Sequence, residues 1–495
     1  MKLIAVYLGE NIQNLILEKK ISQSIIEKFN KKLSAIFPEH EIISNFQYNE
    51  SIRTLVATSE TKFLKEAIKF LPNKLKEEID QEYLIFCEGV FPILDVNLSK
   101  SLEERHNTYL SQYSYSENLP LGIVPKFVSR EFIESLNPEL STSIHEYLLK
   151  NINQYETEIF FQEPDLRYYR LDFSLNSKRS LLLTERILEV NQSISYSEIL
   201  PTILKEPKVF RNYPSYIELE IFKGCEFACF FCPRENLENK KEKLEIDHDL
   251  VEKISKEIQN FPIPVTICLG GLGEPLLHPK IDSIIKTILE NTNVIELIIE
   301  TALYEFPESL FEFLNKIEEK FRNKLTFIVH IPTIDENRYS KLSNGIIGAK
   351  DIIARMERLS EIISKKNIYA QTIKIQDYED SVEFYYTEME KKGFSVILQK
   401  YNTYAGKLPQ RRSVNLTPIQ REFCFHLARE VYVNVNGSVS ICRNSVEKEI
   451  GSLVKESLFS IWENSLESFH ASLLGNHDKT KAPCMDCDEW YSFNA

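Results

Sequence analysis

The chain has 495 residues, 43% apolar and 27% charged, which is a soluble globular balance with length for two to four domains. Its net charge of −14 argues against a general electrostatic grip on nucleic acid or on an anionic membrane. No apolar run nears the roughly 20 residues that span a bilayer, and the opening MKLIAVYLGENIQN lacks a signal peptide's basic stretch and long apolar core. A cytoplasmic, reducing location is expected, where clustered cysteines hold metal more often than they form disulfides.

In chain order, residues 1–150 alternate short apolar runs with amphipathic stretches. A strand is predicted over 2–9, a helix over 22–37, and a strand running into a loop over 82–95, which together suggest an α/β layered domain. Residues 151–210 are less regular and read as a connector. From 211 to 405, apolar runs at 216–222, 264–269, 294–300, 325–331, 368–375 and 394–400 are separated by helical patterns such as 247–261 and 280–292. Six such alternations imply parallel strands with helices outside, either an open sheet or a partial barrel, with chemistry at the strands' carboxyl ends. Residues 406–495 change character again. The run 430–442 reads as a hairpin around Asn436-Gly437, and a helical stretch precedes the final APCMDCDEWYSFNA.

The second region's first strand leads into KGCEFACFFCPRE, which places Cys225, Cys229 and Cys232 within eight positions of a chain that has nine cysteines. An iron–sulfur cubane normally takes four thiolates. Three hold three corners and leave one iron open to the amine and carboxylate of a small molecule. The same three could also be half of a zinc site or neighbouring core residues. The next strand ends in CLGGLGEPLLHP (268–279), where Gly270, Gly271 and Gly273 let the backbone approach a ligand and Glu274 offers an acceptor for an ammonium group. Such a turn is also a common tight β–α connection. Cys424 and Cys442 flank the hairpin, and Cys484 and Cys487 form a CxxC pair. Four thiolates suit a second [4Fe–4S] cluster or a structural zinc. Cys87 and Cys268 lie in apolar strands and read as core residues.

In this order, CEFACFFC and GGLGEP resemble the radical S-adenosylmethionine (SAM) superfamily, whose CxxxCxxC and GGE motifs they match; Phe231 is the aromatic residue before the last cysteine. The resemblance covers about residues 211–405 and implies a partial (β/α)6 barrel. It places Cys225, Cys229 and Cys232 on three irons of a [4Fe–4S] cluster, with SAM chelating the fourth. Gly270, Gly271, Gly273 and Glu274 would then surround the SAM amino end, and Phe231 would lie near the adenine. The middle strands depart from the family. ETALY (300–304) replaces a Thr-Asn-Gly turn, and HIPTIDENRYSKL (330–342) has His330 and Pro332 where relatives carry Ser-x-Asp. Lys341 is the candidate SAM-carboxylate partner, set against an exposed helix lysine; His330 and Gln371 are pocket candidates.

The C-x12-G-x4-C spacing from Cys424 to Cys442, followed by CxxC, resembles the SPASM/Twitch extension. It implies one auxiliary [4Fe–4S] cluster on Cys424, Cys442, Cys484 and Cys487, and the whole architecture is similar to the spiro-SPASM group. The stretches EYLIFCEGVFPILD and ENLPLGIVPKFVS resemble Rossmann-like nucleotidyltransferases, but the Gly-rich nucleotide loop is absent and Glu88 stands where a metal-binding Asp is expected. This region reads as a degenerate relative used for substrate binding or packing.

The expected function is reductive cleavage of SAM to a 5′-deoxyadenosyl radical that abstracts hydrogen from a peptide, protein or small molecule. The auxiliary cluster would carry electrons and a flavodoxin- or ferredoxin-type donor would supply them; no nucleic acid or membrane partner is expected. The rival readings are a non-catalytic zinc-binding protein and a nucleotidyltransferase with a regulatory iron–sulfur module.

Overall fold

The computed structural model describes residues 2–49, 52–71, 82–236, 242–415, 417–480 and 483–491. They fall into two compact units, Met1–Val209 and Phe210–Ala495. No helix among the described residues is long and apolar enough to cross a membrane.

The first unit is built on seven strands: β1 (Lys2–Val6), β2 (His40–Ser44), β3 (Arg53–Thr54), β4 (Tyr83–Cys87), β5 (Tyr113–Ser116), β6 (Lys126–Ser129) and β7 (Thr157–Phe160). Their order is β3-β2-β1-β4-β6-β5-β7. β3, β2, β1 and β4 run parallel, and β6 is antiparallel to both β4 and β5. Side chains alternate between two cores. Ile4, Val6, Ile85 and Cys87 pack on one face, and Leu3, Ala5, Leu84 and Phe86 on the other. Helices cover both faces, so β4 (YLIFC) can be apolar throughout. The segment expected to be a connector belongs to this unit. β7 pairs parallel with β5 at the sheet's edge, and helices Lys178–Val190 and Tyr196–Lys205 follow it. Its half-exposed strand carries too short an apolar run to announce itself in the sequence.

The second unit holds β8 (Tyr216–Leu219), a small ribbon of β9 (Phe222–Lys223) and β10 (Leu244–Glu245), then β11 (Val265–Leu269), β12 (Val294–Thr301), β13 (Leu325–His330), β14 (Ile368–Lys374) and β15 (Ser395–Lys400). β8, β11, β12, β13, β14 and β15 are all parallel and neighbour one another in chain order, the six-stranded arrangement of a partial (β/α) barrel. The intervening helices bury one stripe each. In His248–Gln259, capped by Asp247, the buried residues are Val251, Ile254 and Ile258, at three- and four-residue spacing.

The predicted hairpin forms as β16 (Glu430–Val433) and β17 (Ser438–Ser440), with Gly437 at φ 79° in the turn, and β18 (Glu449–Ser452) extends it. β16 does not stand apart from the barrel. It pairs parallel with β8, Val431 opposite Ile217 and Val433 opposite Leu219, so one nine-stranded sheet runs from β15 to β18. Arg211, 1% exposed, fastens the C-terminal helices to this sheet's entry. It donates to the carbonyls of Leu427 (2.8 Å) and Trp462 (3.0 Å) and to Ser465 Oγ (2.7 Å), with its guanidinium 3.3 Å from the Trp462 ring centroid.

Candidate active site

The three-cysteine loop leaves β9 through Gly224, whose φ of 136° only glycine adopts readily. Backbone bonds hold the loop on several sides. Glu226 N donates to the Tyr304 hydroxyl (3.1 Å), Ala228 N to Leu342 O (2.9 Å) and Cys232 N to Cys229 O (2.9 Å), and Asn344 Nδ2 donates to Glu226 O (2.9 Å). The Phe227 ring stacks on Tyr304 at 4.7 Å. Cys225, Cys229 and Cys232 all line one cavity. Burial, then Glu274, pushes the Cys225 thiol up to about 11; burial, Cys232 and Cys225 raise Cys229 well above the ordinary thiol range. Thiolates here require compensating positive charge, which bound metal supplies.

The glycine turn after β11 packs directly on the segment that leads into this loop. A Cβ at Gly273 would lie 1.8 Å from Phe222 O, and one at Gly271 (φ 101°) 2.5 Å from the Tyr432 hydroxyl. Glu274 N donates to Gly224 O at 2.9 Å, tying the two motifs together. The Glu274 carboxylate, 2% exposed, already accepts from Thr301 Oγ1 (2.5 Å), Ala302 N (2.8 Å) and Leu276 N (3.2 Å). Burial pushes its pKa up to about 7. This gives the ETALY sequence a role: Thr301 and Ala302 orient Glu274, and Tyr304 holds the cysteine loop.

The cavity has about 1010 Å³ of empty space, counting the part open to solvent. Phe231, Gly271, Gly273, Glu274 and His330 line it along with the three cysteines. Gly270 sits behind the wall, its N–H donating to Leu219 O (3.3 Å). Gln371 is buried outside the lining, and Lys341 is exposed on helix Glu336–Leu342 and does not reach the cavity. The sequence reading missed Arg234, Glu300, Gln399, Asn402 and Arg443, all of which line it.

Glu300 belongs to a buried ionic group. Arg443 donates through Nε to Glu218 Oε1 (2.7 Å) and also pairs with Glu300, while His330 Nε2 lies 3.9 Å from Glu300 Oε1. Burial pushes Glu218 up to about 8. At Glu300 burial acts in the same direction, but Arg443 and His330 outweigh it and hold the carboxyl below its usual range. A sequence signal existed: Glu218 and Glu220 alternate with Ile217 and Leu219, placing carboxylates on the opposite face of an apolar strand.

Cys424, Cys442, Cys484 and Cys487 form a second group. Burial raises the Cys424 and Cys442 thiols, and nearby cysteines of the same set add to both shifts. Cys487 Sγ accepts from Glu489 N (3.4 Å) and Asn444 Nδ2 (3.5 Å), the N–H to sulfur contacts that steady a thiolate. Cys487 N donates to Cys484 O (3.2 Å), closing the CxxC turn. Soft thiol donors of this kind, half-buried apart from the buried Cys424, fit an iron–sulfur cluster at both cysteine sets. Among the described residues no three His, Cys, Asp or Glu side chains converge as a single-ion site; a cubane gives each thiolate its own iron and needs no such convergence. Cys87 and Cys268 are fully buried in their strands. In the first unit, Glu88 is ion-paired with Lys126, so an ammonium occupies the carboxylate that stands at the nucleotidyltransferase metal position.

Residues 219–384 match the family described as the radical SAM superfamily, and residues 424–488 match an iron–sulfur cluster-binding (SPASM) domain. An uncharacterised protein of Treponema pallidum (strain Nichols) is 22% identical over 364 residues, covering 71% of this chain and 98% of that protein. A tungsten-containing aldehyde ferredoxin oxidoreductase cofactor-modifying protein of Pyrococcus furiosus is 33% identical over 73 residues, 15% of this chain and 20% of that one. The crystal structure of Streptococcus suis SuiB bound to precursor peptide SuiA aligns with a TM-score of 0.43 at 15% identity, covering 70% of this chain and 81% of SuiB.

Proposed function

The chain carries a radical SAM domain followed by a SPASM-type iron–sulfur domain, and on that premise we propose that it is a radical SAM enzyme whose Cys225, Cys229 and Cys232 hold the SAM-binding [4Fe–4S] cluster. Cys424, Cys442, Cys484 and Cys487 hold an auxiliary cluster. The observation that carries this reading is one cavity lined by both motifs, with the three half-buried cysteines and Gly271, Gly273 and Glu274 of the glycine turn in its wall.

When bound and reduced, the cluster supplies the electron that cleaves SAM to methionine and a 5′-deoxyadenosyl radical, which takes a hydrogen atom from the substrate. The rest is the work of this chain's residues. Gly271 and Gly273 keep the wall thin enough for the backbone to meet the SAM amino end, and Glu274, fixed by Thr301 and Ala302, sets the polarity there. Phe231 offers an apolar face for the adenine. Tyr304 and Leu342 hold the cysteine loop against the barrel, where Cys225, Cys229 and Cys232 would hold the cluster at the cavity wall. Cys424 and its three partners present four thiolates, which saturate a cubane and suit it to electron transfer. The substrate is a peptide or small molecule that reaches the Glu300, His330 and Asn402 side of the cavity. Lys341 is exposed on its helix and is not among the residues that line the cavity, whereas the basic side chains of Arg234 and Arg443 are.

Anaerobic reconstitution tests the reading. Roughly eight irons per chain are expected, falling to about four when Cys225, Cys229 and Cys232 become Ala. The intact protein given SAM and dithionite is expected to form 5′-deoxyadenosine, and the triple variant is not. Stoichiometric zinc, with no 5′-deoxyadenosine from the intact protein, overturns it.

A further inference from the structure

The turn that follows β15 is tied to the second cysteine set by a chain of side-chain amides. Asn402, in the cavity wall, donates from Nδ2 to Asn444 Oδ1 (2.9 Å). Asn444, 7% exposed, donates from Nδ2 to Cys487 Sγ (3.5 Å). At the other end Asn402 Oδ1 accepts from Tyr404 N (2.7 Å). Thr403 adds a second tie, donating through its backbone N (3.3 Å) and Oγ1 (3.0 Å) to Asp488 Oδ2, which follows Cys487 in the chain. Tyr404 (φ 50°) and Ala405 (φ 56°) are both left-handed, a conformation that residues other than glycine seldom adopt, so these contacts hold the turn in a shape it does not favour.

One backbone group decides how both amides lie. An N–H can only donate, so Tyr404 N takes the oxygen of Asn402 and leaves the Asn402 NH2 facing Asn444. That NH2 takes the Asn444 oxygen in turn, and the Asn444 NH2 is left for the sulfur. A wall residue of the cavity thereby selects which end of Asn444 meets Cys487.

The geometry points to Asn402 and Asn444 as positioning residues that set the reduction potential of the cluster held by Cys487. Reduction adds one negative charge to a cluster, and an N–H bonded to a ligand sulfur stabilises that charge, so the bond raises the potential. A carbonyl oxygen in the same place opposes reduction, and burial strengthens both effects. This inference rests on Cys424, Cys442, Cys484 and Cys487 being cluster ligands, as proposed above.

The test uses the full chain with Cys225, Cys229 and Cys232 replaced by Ala, so that only the auxiliary cluster reports, in an anaerobic potentiometric titration followed by EPR. Asn444→Ala is expected to weaken reduction about tenfold, a shift of about 59 mV to more negative potential for one electron. Asn402→Asp still accepts from Tyr404 N but has no N–H to give, so the Asn444 amide turns over and presents its oxygen to the sulfur. The added charge also acts on the cluster directly, and a double-mutant cycle separates the two effects. Asn402→Asp is expected to weaken reduction about tenfold more in the parent than in the Asn444→Ala background. Equal shifts in the two backgrounds, or an unmoved potential in Asn444→Ala, overturn the inference. If Asn444→Ala loses its iron, electron–nuclear double resonance on the parent grown with amide-nitrogen-15 asparagine decides. A nitrogen-15 coupling at the reduced cluster that is lost in Asn402→Asp supports the amide chain, and an absent or unchanged coupling overturns it. A parent protein that holds no iron overturns the auxiliary-cluster reading and this inference with it, whereas an EPR-active parent with unmoved variants overturns this inference alone.

Discussion

At Gly273 a single added methyl group would sit 1.8 Å from the Phe222 carbonyl oxygen, closer than any real contact, so either the glycine turn or the cysteine loop would have to move. Gly273→Ala is expected to weaken SAM binding at least tenfold in an equilibrium titration while leaving the iron of the second cysteine set in place. Glu60, in the first unit, supports a prediction of another kind. It accepts from Ile144 N at 3.0 Å, and burial, with Glu88 nearby, pushes its pKa up to about 7 from 4.5. Between those two values the folded state holds a proton that the unfolded state releases, so this contribution to stability is complete below pH 4.5 and is lost as the pH rises through 7. Glu60→Gln is therefore expected to match the native protein in urea unfolding at pH 5 and to exceed it at pH 8, by at most about 3 kcal/mol.

At the scale of elements, the six barrel strands were legible because each is a short apolar run bounded by turns, and the structure places every one within two or three residues of its predicted limits. The hairpin was equally legible from Asn436-Gly437, since that signal is local. Its partner was not. The pairing of Val431 with Ile217 joins residues far apart in the chain, and neither stretch encodes the other. The site divides the same way. Short local spacings picked out the three-cysteine loop, the glycine turn and the two halves of the second set, Cys424 with Cys442 and Cys484 with Cys487, whereas Glu218, Glu300 and Arg443 come from three separate strands or turns and meet only after folding. Lys341 illustrates the converse: sequence position offered a carboxylate partner or an exposed helix lysine, and the side chain is exposed. Arg211 also escaped the sequence reading, although five donors in a buried guanidinium demand partners. Burial pushes its pKa down to about 9, a measure of how much it depends on the carbonyls around it. Arg211→Met is expected to cost about 2–3 kcal/mol, because three bonds and the Trp462 stacking are lost and the carbonyls stay buried. Urea unfolding followed by tryptophan fluorescence reads this unit, since Trp462 and Trp490 are the chain's two tryptophans and both lie in it.

For the whole molecule, the division of labour proposed for the two cysteine sets predicts a specific separation of activities. Cys424→Ala combined with Cys442→Ala is expected to reduce iron from about eight to about four per chain while slow, substrate-free formation of 5′-deoxyadenosine persists, because the three-cysteine loop is held by Tyr304 and Leu342 and owes none of those bonds to the second set. Chromatography of the small-molecule products alongside iron analysis checks it. The shared sheet sets a different limit on dissecting the protein. β16 covers the flank of β8, so a chain ending at residue 405 would leave the backbone of Tyr216–Leu219 bare along one side, ready to recruit the same strand from a neighbour. Such a fragment, with its three barrel cysteines intact, is expected to clump as it is made, and light scattering against the full-length protein would reveal it.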